Sequence, residues 1–311
     1  MKLICTHIAN TILSFLFFIL AGSVNAQENI TALQGIYFGQ KPPGNEAVVF
    51  AKNIISTELY EHSAPAFSPD GKTVLWTVVE MNKPARLFEM TMEGNTWSQP
   101  HAPSFADKEH DDFYPFFSCD GKRLFFSSRR SLPSGLPVKD IALWVVERKG
   151  NNWGIPVPVD SSVSKGFEYA HSLSKSGNLF FSTREVVNGK GIWKIYSSQF
   201  INGKYAAPQA TDANINDGSY VDGPFVAPDE SFLIFESDRA GGIGSIDLYI
   251  CFKENGKWSA PKNMGSKINS TKAERFAGLS PDGKYLFFGS NRASELPDVY
   301  WISSSIINEL K

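Results

Sequence analysis

Five carboxylates and four arginines recur at matching places along this 311-residue chain. Glu61, Asp112, Glu168, Asp222 and Glu274 each precede a short β-prone run, and Arg129, Arg184, Arg239 and Arg292 each follow an apolar one. Carboxylate and guanidinium brought together form a charge-assisted, often bidentate pair. A ring of such groups at one mouth, with His62 beside Glu61, would suit a sugar or peptide bearing a carboxylate or sulfate. The same residues could instead tie the chain to itself. Asp140, Asp247 and Asp298 accompany Arg129, Arg239 and Arg292, as partners of internal ion pairs would, whereas Arg184 has no matching Asp.

Histidine is scarce, and His110 and His171 fall in the same kind of segment as Tyr114 and Tyr169. β-Elimination across a uronate needs a base for the C5 proton, an acid for the leaving oxygen and a cation for the carboxylate. His110, Tyr114, Tyr169 and His171, with Arg129 and Arg184, are candidates for those roles, and surface histidines in loops are the plain alternative. Glu61 and Glu80 make a carboxylate pair that lacks an arginine, next to His62. Such a pair would hold a metal or raise one pKa, unless it points to solvent or meets Lys83. Gly241-Gly242-Ile243-Gly244 does not join a strand to a helix, so it is no dinucleotide site. No nucleophile elbow, zinc cysteine pair or phosphate loop occurs, and no cofactor is expected.

The elements that must position these residues are repeats. Turn residues Asp70, Asp120, Ser176, Asp229 and Asp282 return every 50–56 positions. Trp97-x-x-Pro100, Trp153-x-x-Pro156, Tyr205-x-x-Pro208 and Trp258-x-x-Pro261 keep the same beat. Each repeat reads as four strands. Strand a ends at an Asp-Gly type turn. Strand b is an apolar run such as Arg123 to Phe126, buried on both faces. Strand c is a third run, and strand d follows the Trp-x-x-Pro marker. Such a unit cannot bury both faces alone, and radial stacking solves this. The fifth repeat stops near Ser303 without a strand d, while Glu46 to Ala51 is a strand without a repeat. The expected fold is an all-β propeller of five four-stranded blades, the N-terminal strand closing the last blade. Six blades is the alternative, if residues 31–62 build more than one strand.

Ser68-Pro69-Asp70-Gly71 and Ser280-Pro281-Asp282-Gly283 resemble the TolB-type, WD-like propeller repeat, over residues 36–303. Cys119, Lys175-Ser176 and Glu230 depart from that pattern in repeats two to four. The resemblance implies the propeller fold and little about function. TolB carries an α/β domain before its propeller, whereas strands follow the leader directly here.

That leader is a signal peptide over residues 1–26. Lys2 precedes an apolar Ile12–Leu20 stretch, and Val24 and Ala26 suit cleavage before Gln27. A single propeller domain over 27–311, periplasmic or secreted, is expected. Losing Lys2 takes the net charge from −2 to −3, which argues against a nucleic-acid partner. No later stretch is apolar enough to span a membrane. Cys119 and Cys251 occupy different repeat positions and read as free thiols.

With the Asp-Gly turns at the bottom, the recurring acids and arginines lie together at the top. Pairing across the Asp120-Gly121 turn sets Asp112 opposite Arg129. The same arithmetic sets Glu274 opposite Asn291 and Glu61 opposite Glu80. The expected function is a binding or scaffold propeller gripping a protein or glycan at its top face. The alternative is a carbohydrate-active enzyme, a lyase for uronate-containing glycans.

Overall fold

A computed structural model describes residues 33–131, 140–164 and 167–311. The expected signal peptide lies outside them. Five four-stranded antiparallel sheets follow one another. Strand a of the blades is Tyr60–Glu61 with Ala66–Phe67, then Asp112–Phe117, Glu168–Leu173, Val221–Val226 and Glu274–Leu279. Strand b is Thr73–Val79, Arg123–Ser128, Leu179–Val187, Phe232–Ser237 and Tyr285–Ser290. Strand c is Arg86–Glu93, Ala142–Lys149, Lys190–Ser198, Asp247–Glu254 and Asp298–Ser303.

Local chemistry explains the turns. Ser68 Oγ donates to Asp70 Oδ1 at 2.5 Å, and that oxygen also accepts the Lys72 amide at 3.1 Å. Gly71 takes the left-handed φ of 68° that closes the hairpin. Ser118 with Asp120, and Ser280 with Asp282, repeat the arrangement. The apolar b strands of blades one, two, four and five are buried along nearly their whole length, between neighbouring blades. The Trp-x-x-Pro markers extend the c–d hairpins and pack between blades: Trp153 of blade two donates from Nε1 to Glu89 Oε1 of blade one at 2.9 Å.

The ring closes as the sequence suggests. Val48–Val49 pairs with Trp301 and Tyr300 of strand c in blade five. Residues 33–62 supply one closing strand besides blade one's own Tyr60–Glu61, so the blades number five. Tyr37, Phe38 and Phe50 sink into a core shared by Phe287 and Trp301 of blade five and Phe67 and Trp97 of blade one. A five-residue helix, Ser305–Glu309, follows the last blade and buries Ile306 and Ile307.

One regularity escapes the hairpin arithmetic. Near its turn, blade two pairs Phe116 with Phe125 and Phe117 with Leu124, as expected. Further up, Asp112 faces Ser128 and not Arg129, because a bulge between Phe113 and Phe116 adds a residue to strand a. Tyr114 occupies it with φ 51°. Blades three, four and five shift likewise, so Glu274 faces Ser290 and not Asn291. In blade one Glu61 faces Val78 and not Glu80.

Candidate functional site

The five carboxylates that precede strand a turn inward. Glu61, Asp112, Glu168, Asp222 and Glu274 are each at most 3% exposed. A buried carboxylate needs donors, and Glu61, Asp112, Asp222 and Glu274 have them within hydrogen-bond distance. Glu61 accepts from the Thr57 amide at 3.1 Å and hydroxyl at 2.6 Å, while burial pushes its pKa to about 7. Asp112 holds Arg130 through two bonds of 2.8 and 2.7 Å. Glu274 accepts from Ser270 and Ser290 and lies 3.4 Å from Arg292. The partner of Asp112 in blade two is thus Arg130, one residue beyond the expected Arg129. Ser128-x-Arg130, Ser237-x-Arg239 and Ser290-x-Arg292 share one geometry. Each guanidinium bonds the serine hydroxyl and stacks on the aromatic rings of its own blade. Arg239 also donates to the carbonyls of Asn214 and Ile215. These arginines are staples, not a ligand-facing ring.

The pairing of arginines with the aspartates of strand c holds only for Arg129, which meets Asp140 and, at 3.0 Å, Asp111. Asp247 instead accepts the Gly244 amide at 2.9 Å and Asn263 Nδ2 at 2.8 Å. Glu80 is taken up by Lys83 and Arg86, two strand positions from where Glu61 points. No cluster of three metal-ligating side chains occurs among the described residues.

The axis is plugged by aromatic rings. His62 shares hydrogen bonds from Nε2 with Tyr114 at 2.7 Å and Tyr169 at 3.2 Å, and packs 4.8 Å from Phe276. Burial drives its pKa to about 3, so it is neutral, and Nδ1 has no partner among the described residues. Tyr114 reaches this place because of its bulge. His171 lies below, fully buried, its Nδ1 3.3 Å from the Tyr169 carbonyl, and burial lowers its pKa to about 4. His110 sits elsewhere, on Asp107 at 3.2 Å near the surface. Of the four residues suited to an elimination, Tyr114, Tyr169 and His171 come together near the axis, the two tyrosines within the plug and His171 below it, and His110 does not join them.

From the plug outward the partly exposed rings of Tyr169, Trp193 and Tyr220 are in sequence, with centroids 5.3 Å and 6.1 Å apart. Tyr60 borders the same mouth beside Arg275, around a small cavity of about 120 Å³. Strand b of blade three has nine residues against six in blades two, four and five, and its hairpin with strand c carries Trp193 to the rim. Arg184 pairs with Trp193 across that hairpin, and directly opposed residues share a face. Its side chain lies over Gly191, where a Cβ would fall 1.9 Å from Nε. Arg184 is exposed and makes no ion pair with a described residue. Trp193 and Arg275 were not foreseen: strand-c aromatics read as core, and Arg275 hides in an apolar run. The length of the blade-three hairpin, visible as Val186-Val187-Asn188-Gly189, was the available signal.

No family model matches the chain, and neither does any curated protein. Solved structures do. An endo-arabinase from Bacteroides thetaiotaomicron superposes with a TM-score of 0.51 at 12% identity, over 80% of this chain and 95% of that one. TolB from Acinetobacter baumannii gives 0.49 at 14% identity, over 78% of this chain and 56% of that one. A TolB candidate from Agrobacterium tumefaciens gives 0.46 at 22% identity, over 75% and 70%. The chain therefore spans little more than half the length of the A. baumannii protein, and the likeness is one of fold.

Proposed function

We propose that the protein is an exported binding propeller whose top mouth holds an acidic glycan. The observation that carries this is Arg184, exposed and without an ion pair, on the same hairpin face as Trp193 and next to the row of Tyr169, Trp193 and Tyr220. Aromatic faces pack on the C–H faces of a sugar ring, and a guanidinium reads a carboxylate bidentately. The cavity beside Tyr60 and Arg275 holds only about 120 Å³, and His62 and His171 are engaged within and below the plug, which favours holding over catalysis. Titration with oligogalacturonate, followed by tryptophan fluorescence, should saturate, with neutral oligosaccharides much weaker. Trp193→Ala should cost at least about 2 kcal/mol of binding, or ~30-fold. Arg184→Ala should remove most of the preference for the acidic sugar. Appearance of an unsaturated uronate chromophore would replace this reading with the lyase.

Export rests on the Lys2, Ile12–Leu20 and Ala26 signals. Intact mass of the protein recovered from the cell envelope or medium should match a chain beginning at Gln27. A mass retaining residues 1–26 would argue for an anchored leader. Among the described residues no helix is long and apolar enough to cross a membrane.

A further inference from the structure

We infer that the lower half of the axial channel is a second binding site, for a free acyl chain ending in a carboxylate. Below the plug the inner strands enclose a cavity of about 440 Å³ that opens between the Asp-Gly turns. Every blade gives its wall an apolar side chain: Phe67, Phe116, Leu173, Phe225 and Leu279. The volume falls in the range of small-molecule sites, and each methylene taken from water contributes about 0.8 kcal/mol.

The rim supplies the head-group preference. The residue before the turn position held by Asp70, Asp120, Ser176, Asp229 and Asp282 lines the opening in all five blades: Pro69, Cys119, Lys175, Pro228 and Pro281. Only blade three places a charge there. Blade three also replaces the turn aspartate by Ser176, so the cation arrives without the acid that every other turn carries. Lys175 is exposed and forms no ion pair with a described residue. The nearby Glu230 is held by Lys253 at 2.6 Å and Asn178 at 2.7 Å. The Lys175 amide bonds the Pro228 carbonyl at 2.7 Å, which fixes this turn against blade four at the edge of the opening. An apolar cavity with one uncompensated ammonium at its rim selects an apolar chain with an anionic end.

Cys119 lies on the same rim and reports occupancy. Its alkylation by iodoacetamide would be followed by peptide mapping, with decanoate, decan-1-ol or decylamine present below their aggregation limits. Decanoate at ten times its dissociation constant should slow the reaction about tenfold. Lys175→Ala should weaken decanoate about fivefold and leave decan-1-ol unchanged. Ala277→Phe, which fills the cavity, should abolish protection. Trp193→Ala should leave protection intact, which separates this site from the glycan mouth. An unchanged Cys119 rate with decanoate would overturn the site. Protection that persists in Ala277→Phe, or that ignores the head group and Lys175, would overturn the assignment equally.

Discussion

A chain beginning at Lys52 is expected not to fold to a stable monomer. It would lack Val48–Val49, leaving the c strand of blade five, Asp298–Ser303, as an open edge beside blade one. It would also lack Tyr37, Phe38 and Phe50, all at most 7% exposed, from a core that bridges the first and last blades. Burial of one such aromatic is worth about 3–5 kcal/mol by truncation. Three of them, with the strand's hydrogen bonds, approach the ~5–15 kcal/mol that holds a whole domain together. Deleting residues 27–51 should therefore give an aggregated or expanded product by size exclusion, without a cooperative thermal transition. The single change Phe50→Ala should lower stability by about 3–5 kcal/mol and leave the fold intact. A truncated protein melting cooperatively as a monomer within a few degrees of the full chain would show that closure is dispensable.

The closing strand was legible because its signals are local. Asp-Gly turns and Trp-x-x-Pro markers each fix a few neighbouring residues, and the unmatched strand at each end follows by counting. Side-chain partners were less legible. Hairpin arithmetic assumes an unbroken ladder, and nothing in Phe113-Tyr114-Pro115-Phe116 announces that Tyr114 will take a left-handed conformation. One inserted residue moves Asp112 from Arg129 to Ser128 and leaves Arg130 to reach it. Burial of the acids was equally hidden. Thr57, Ser128, Ser182 and Ser270 make that burial tolerable, but each is an ordinary residue at an ordinary distance along the chain. The mouth was half legible: Arg184 and Tyr169 stand in repeat positions, whereas Trp193 and Arg275 do not.

Glu236 should make stability fall as pH rises between about 4.5 and 8, and Glu236→Gln should remove that fall. The reason is a shortage of protons in a group of four residues whose two carboxylates, Asp222 and Glu236, are fully buried. Tyr220 hydroxyl lies 2.8 Å from Asp222 and 3.1 Å from Glu236, and Arg275 donates to it at 3.0 Å. Tyr220 has one hydrogen to give. Asp222 also accepts from Ser182 and, at 2.7 Å, from the Gly223 amide, so the tyrosine proton goes there. Glu236 satisfies the remaining geometry only by carrying a proton and donating it to the tyrosine oxygen. Its Oε2 has no partner among the described residues. Burial pushes its pKa to about 8, against the opposing field of Arg275, and burial raises Asp222 as well.

The folded protein thus keeps a proton that the unfolded chain loses near 4.5. Its contribution is fully present below that pH and is lost as pH rises through about 8, by a few kcal/mol in all. His62 and His171 act in the opposite sense. The folded state refuses their protons to about 3 and 4, so stability falls as pH drops below 6.5. That limb is common to wild type and Glu236→Gln and cancels in their difference. Urea unfolding of both proteins between pH 5 and 8.5 should therefore give curves that diverge steadily, the variant gaining on wild type at the alkaline end. Parallel curves would mean that Glu236 is already ionised in the folded state, paired with Arg275. Arg275→Met should then cost the same at every pH in that range. With Glu236 protonated, its cost should instead grow as pH rises, because each lost proton leaves another buried charge without its cation.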